Sequence, residues 1–146
     1  MNDAGTLEVS VHIDARPETV FPFFTDPARY IQWMGSEAEI DAVPGGAYRV
    51  RMREGVEADG EFVEIDAPKR IVFTWGWVGD DAVAPGSTRV EVTLSPDGQS
   101  GTDVVLRHYG LPDAVQVEHH KQGWEQYLGR LVVTATRGDP GLDPNA

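Results

Sequence analysis

The spacing of apolar residues changes once along this chain, and that change limits the folds open to it. From Leu7 to Ile13, Leu7, Val9, Val11 and Ile13 alternate with Glu8, Ser10 and His12. Alternation of this kind marks a half-buried strand. It recurs over Ala47 to Arg53, with Tyr48, Val50 and Met52 on one face and Arg49, Arg51 and Arg53 on the other. Gly60 to Ile65, Arg70 to Trp77, Thr88 to Leu94 and Thr102 to Tyr109 continue it, and a further β segment is expected from Ser36 onward. Beyond Tyr109 the period becomes helical: Val117, His120, Trp124, Tyr127, Leu128, Leu131 and Ala135 form one stripe, with Glu118, Gln122, Glu125 and Arg130 opposite. This helix is expected to run about 20 residues, roughly 30 Å.

Turn and cap residues divide these elements. Pro44-Gly45-Gly46, Asp66-Ala67-Pro68 and Pro96-Asp97-Gly98 punctuate the strands, and Gly79 to Ser87 reads as a loop. Pro17 suits a first helical turn. Pro22 lies too deep for that and should kink or shorten the helix. Asp26 as cap and Pro27 at the first position restart one, so two short helices are expected, ending near Trp33-Met34-Gly35. Asp113 with Gln116 resembles a capping box, and Gly138 and Pro140 end the long helix. The result is an α+β domain: a curved antiparallel sheet of six to seven strands, covered on one face by the last helix. One domain over 1–146 is expected, with its core over about 7–136 and a flexible tail over 137–146.

The charge balance narrows the partners. Asp and Glu number 24 against 12 Lys and Arg, a formal net charge of −12. Such a chain repels phosphate backbones and anionic bilayers, so neither nucleic acid nor membrane is an expected partner. There is no cysteine, hence neither disulfide nor thiolate chemistry. No run of about 18 apolar residues is present and the first residues lack a signal-peptide pattern, so a cytoplasmic location is expected.

The ordered segments carry a resemblance. Ala15 to Phe21, Thr25-Asp26-Pro27, Trp33-Met34-Gly35 and Pro44-Gly45-Gly46 come first. Gly60 to Ile65, Arg70 to Trp75, His108 to Pro112 and Gly123 to Leu128 follow. Over roughly Leu7 to Thr136 the chain resembles the START-like, or SRPBCC, superfamily. Within it, the chain is similar to homologues of the activator of the heat-shock-protein-90 ATPase. The resemblance implies a helix-grip fold with a cavity between sheet and long helix. It also implies binding of hydrophobic small molecules, with cyclisation, dehydration or hydrolysis in some members. The branch name implies a chaperone as a macromolecular partner; a homodimer is the alternative expectation.

The candidate site follows from parity and aromatic content. Trp33, Tyr48, Phe62, Phe73, Trp75, Trp77, Leu106, His108, Trp124, Tyr127 and Leu128 are the expected ligand-contacting residues. Buried indole N–H and phenol groups need partners, which a cavity supplies through water or a ligand. His108 shares parity with Val104 and Leu106, points inward, and is the candidate acid/base. Arg51, Asp59, Glu61 and Glu64 read as solvated. Adjacent His119 and His120 diverge by about 100° on a helix, so no metal site is expected, nor any cofactor. The expected function is binding of a small hydrophobic or aromatic molecule, with a His108-dependent cyclase or hydrolase and a chaperone-binding module as alternatives.

Overall fold

A computed structural model describes residues 5–52 and 55–137. The elements, in chain order, are β1 (Leu7–Ile13), α1 (Pro17–Val20), α2 (Pro22–Thr25), α3 (Pro27–Tyr30) and β2 (Glu37–Ile40). Then come β3 (Ala47–Arg51), β4 (Glu57–Asp66), β5 (Arg70–Trp75), β6 (Thr88–Pro96), β7 (Thr102–Tyr109) and α4 (Ala114–Arg137). Seven strands form one antiparallel sheet in the order β1-β7-β6-β5-β4-β3-β2. Strands β2 to β7 meander, and β1 closes onto β7, pairing Leu7 with His108 and Ile13 with Thr102.

Three single-turn helices stand where two were expected. Each starts on a proline at its first position, and Phe21 is shared as the end of α1 and the cap of α2. Pro22 has no N–H to offer the preceding turn, so the chain restarts there instead of continuing. The Asp26 side chain accepts from the Ala28 N–H at 3.0 Å and caps α3.

The 24 residues of α4 begin on a side-chain cap, the Gln116 N–H donating to Asp113 Oδ1 at 2.9 Å. The residues 138–146, read as the end of this helix and a tail, lie outside the described residues, as does Arg53 at the end of its expected strand. The helix backbone comes closest to β1. Toward β4 and β5 long aromatic side chains bridge the gap instead, Trp75 meeting Trp124 with ring centroids 5.1 Å apart. The opposite face of the sheet is solvated. There Arg49 lies 3.3 Å from both Glu39 and Glu57 and 3.4 Å from Asp59, while Glu64 meets Arg70 at 3.1 Å. Arg51 sits 3.5 Å from Glu37, and Glu61 is exposed. Such exposed pairs contribute little to stability.

Among the described residues no helix is long and apolar enough to cross a membrane.

Candidate functional site

The sheet and α4 border a half-open cavity of about 380 Å³, within the size range of small-molecule sites. Its helical wall is Gln116, His119, His120, Gly123, Trp124 and Tyr127. These positions share one side of a helix because they repeat every third or fourth residue. The sheet wall is Trp75 and Trp77, which lie two residues apart and so face the same way. Between them Gly76 passes so close to the Ala84 carbonyl that a Cβ there would collide with it. This lets the segment after β5 fold back, and the Trp77 N–H donates to the Val83 carbonyl at 2.7 Å. Met34, Met52 and Val56 complete the lining. The lining holds no Asp, Glu, Lys or Arg.

Two buried imidazoles organise the inner end. Trp124 Nε1–H donates to His108 Nδ1 at 3.1 Å. An indole nitrogen can only donate, so Nδ1 accepts and the ring proton sits on Nε2. Nε2–H then donates to Thr88 Oγ1 at 2.8 Å, and Thr88 passes its own hydrogen to the Trp75 carbonyl at 2.7 Å. His120 holds the opposite tautomer. Its Nε2 accepts from Trp77 Nε1–H at 3.0 Å, and its Nδ1–H donates to the Gln116 carbonyl at 2.8 Å. The two rings stand edge to face, centroids 5.2 Å apart. Burial, and then the neighbouring His120, push the His108 pKa down to about 3. Burial also lowers that of His120. Both are neutral at pH 7.

Four of the eleven expected contact residues lie on the cavity wall: Trp75, Trp77, Trp124 and Tyr127. The other seven are buried behind it. Trp33 donates its indole N–H to the Phe23 carbonyl at 2.9 Å and stacks beside Tyr30. Tyr48 bonds the Tyr30 hydroxyl and stacks on Phe73 with centroids 4.1 Å apart, and burial raises its pKa. Phe62 meets both Tyr48 and Phe73 edge-on, so these rings fill space that was expected to be open. Leu106 and Leu128 are fully covered. His108 also stands behind the wall, with both nitrogens committed, and so presents neither a free acid nor a free base to the cavity. Gln116, His120 and Gly123 were legible as continuations of the Trp124–Tyr127 stripe. Met52 was legible through its shared strand face with Tyr48, whereas Met34, Val56 and His119 carried no such signal.

Among the described residues, one buried polar atom of the wall lacks a hydrogen-bond partner. The Trp75 indole N–H has no acceptor, whereas Trp33, Trp77 and Trp124 each donate to one. The rings around Trp75 offer π faces, which are weak acceptors. Among the described residues, no cluster of His, Asp and Glu is placed to hold a metal ion.

Residues 14–136 match the family described as activator of Hsp90 ATPase homolog 1-like protein. An AHSA1-like protein from Rhizobium etli is 39% identical, with a TM-score of 0.74 over 99% of this chain and 92% of that one. DynU16, from the dynemicin biosynthetic locus, is 27% identical with a TM-score of 0.81. The match covers 96% of this chain but 49% of DynU16, so the chain spans about half its length. An HSP90 activator from Plasmodium falciparum is 25% identical, with a TM-score of 0.72 over 88% of this chain and 94% of that one. No curated protein matches the chain. With the sheet, the gripped helix and the family match in agreement, the chain belongs to the family of activator of Hsp90 ATPase homolog 1-like proteins, in the START-like (SRPBCC) superfamily.

Proposed function

We propose that this protein binds a small apolar aromatic molecule in the cavity between β5 and α4. The carrying observation is the cavity itself: about 380 Å³, walled by three tryptophans and two methionines, with no Asp, Glu, Lys or Arg in its lining. Affinity comes from burying apolar surface, at roughly 25 cal/mol per Å² before the costs of association. Unbranched methionine side chains let such a wall adapt to its occupant.

The test is a titration with ethylnaphthalene followed through the four indole N–H signals in a nitrogen-edited NMR spectrum. Trp75, Trp77 and Trp124 shift together and saturate, while Trp33, packed behind the wall, stays in place. No saturable shift at the three wall indoles contradicts the proposal.

The enzyme alternative has less to rest on, because His108 spends both nitrogens on Trp124 and Thr88. A chaperone partner is supported by the likeness to an HSP90 activator. Stimulation of a chaperone ATPase by the purified protein tests it, and an unchanged rate at low and physiological salt counts against it.

A further inference from the structure

We infer that Trp75 supplies the hydrogen-bond donor for the bound molecule, whose class is a neutral aromatic compound carrying a carbonyl-type acceptor. The inference rests on the cavity reading above and adds the polarity of the occupant. The chain has four indoles, and three of them are matched to acceptors provided by the fold: the Phe23 carbonyl, His120 Nε2 and His108 Nδ1. Trp75 is as deeply buried as Trp33 and Trp124, at 2% exposure, yet its nitrogen has no acceptor. A buried donor left alone is unfavourable and uncommon in native proteins. This one belongs to a residue of the cavity wall.

The two imidazoles and the Thr88 hydroxyl beside it do not relieve it. Both nitrogens of His108 and His120 are occupied, and Thr88 Oγ1 already bonds His108 and the Trp75 carbonyl. The missing acceptor therefore comes from an occupant. The nitrogen presents almost no accessible surface. Contact with an occupant therefore requires a small shift of the rings packed around it.

Charge selects among occupants. An anion would offer acceptors, but the chain carries a net charge of −12 and the wall provides no Lys or Arg to offset it. A cation suits an aromatic cage. Here, however, the unmatched group is a donor and the wall has no carboxylate. A neutral ring system with a ketone, quinone or lactone oxygen satisfies both conditions.

The test compares acetylnaphthalene with ethylnaphthalene, which match in shape and differ in the carbonyl, on the wild-type chain and on Trp75→Phe. Binding is read by quenching of tryptophan fluorescence. Trp75→Phe is expected to weaken the ketone about fivefold more than the hydrocarbon, the loss of one hydrogen bond. Equal weakening of the two overturns the donor role and leaves the cavity reading standing, since the hydrocarbon still binds the wild type. Failure of both to bind the wild type overturns the cavity reading, and the donor role with it. Tighter binding of phenyltrimethylammonium than of the ketone also overturns the inference. A readout that needs no variant is the Trp75 indole proton, which moves downfield with the ketone and not with the hydrocarbon. If it responds identically to both, the donor role is wrong.

Discussion

Trp124 on α4 and His108 on β7 are joined by a single hydrogen bond of 3.1 Å that sets the tautomer of the imidazole. It ties the gripped helix to the sheet through three further atoms: His108 Nε2, Thr88 Oγ1 and the Trp75 carbonyl. His108 thus belongs to the frame of the cavity rather than to its chemistry.

Replacing His108 with Leu leaves the Trp124 N–H buried without an acceptor. A loss of about 2–4 kcal/mol is expected, combining that desolvation with the bonds removed. Trp124→Phe breaks the same link, so the double variant loses less than the two single losses added, by about 1–2 kcal/mol. Urea unfolding of the three variants measures this. Strict additivity would show that the bond contributes nothing.

The neutral state of His108 also makes stability depend on pH. Its folded pKa, about 3, lies below the ordinary value of 6.5, so the unfolded chain binds the proton more readily. Stability is therefore full above about 6.5 and is lost as pH falls toward 3. His120 is shifted in the same direction. Between pH 6.5 and 5 a loss of about 1–2 kcal/mol from His108 is expected. His12 acts oppositely: its hydrogen bond to Asp97 raises its pKa, so its contribution is present at low pH and lost as pH rises. Unfolding curves at these pH values in a His12→Asn background separate the two. His108→Leu should flatten the dependence, and an unchanged slope would contradict the assignment.

Trp33 and Trp75 are almost equally buried, at 0% and 2% exposure, but only the first has its indole hydrogen bonded. Substitution by Phe removes the same volume from each. Trp33→Phe also loses a bond to the Phe23 carbonyl, whereas Trp75→Phe removes a donor that had none. Trp33→Phe is expected to cost about 1–3 kcal/mol more, read from chemical unfolding. Equal costs would indicate that Trp75 has an acceptor in solution.

Much of this frame was legible in the residues themselves. Alternation from Leu7 to Tyr109 and the stripe from Val117 to Ala135 specify a sheet and one helix to cover it, because side-chain period and buried face are coupled. Pro22 signalled a kinked or shortened helix, though not that α1 and α2 would each be a single turn. The cavity was harder to place. Parity puts Tyr48, Phe73 and Trp75 on the same face, but does not reveal that Tyr48 and Phe73 stack while Trp75 borders empty space. That difference arises from the divergence of α4 from the sheet, a long-range property absent from any local pattern. His108 points inward as its parity implies. Its commitment to Trp124 depends on two elements meeting, which spacing alone does not show.

The most direct test of the cavity fills it. Gly123 lines the space from the helix, has an ordinary helical backbone, and a Cβ there would meet nothing within 4 Å. Gly123→Leu should therefore fold, while its side chain occupies the volume a ligand needs. Gly129 is also open around its Cβ but lies outside the cavity lining. Gly129→Ala should gain about 1 kcal/mol from helix propensity and leave binding intact. In a fluorescence titration with ethylnaphthalene, Gly123→Leu is expected to weaken binding at least tenfold, while Gly129→Ala matches the wild type. Equal affinity in all three proteins would contradict the claim that the ligand lies between β5 and α4.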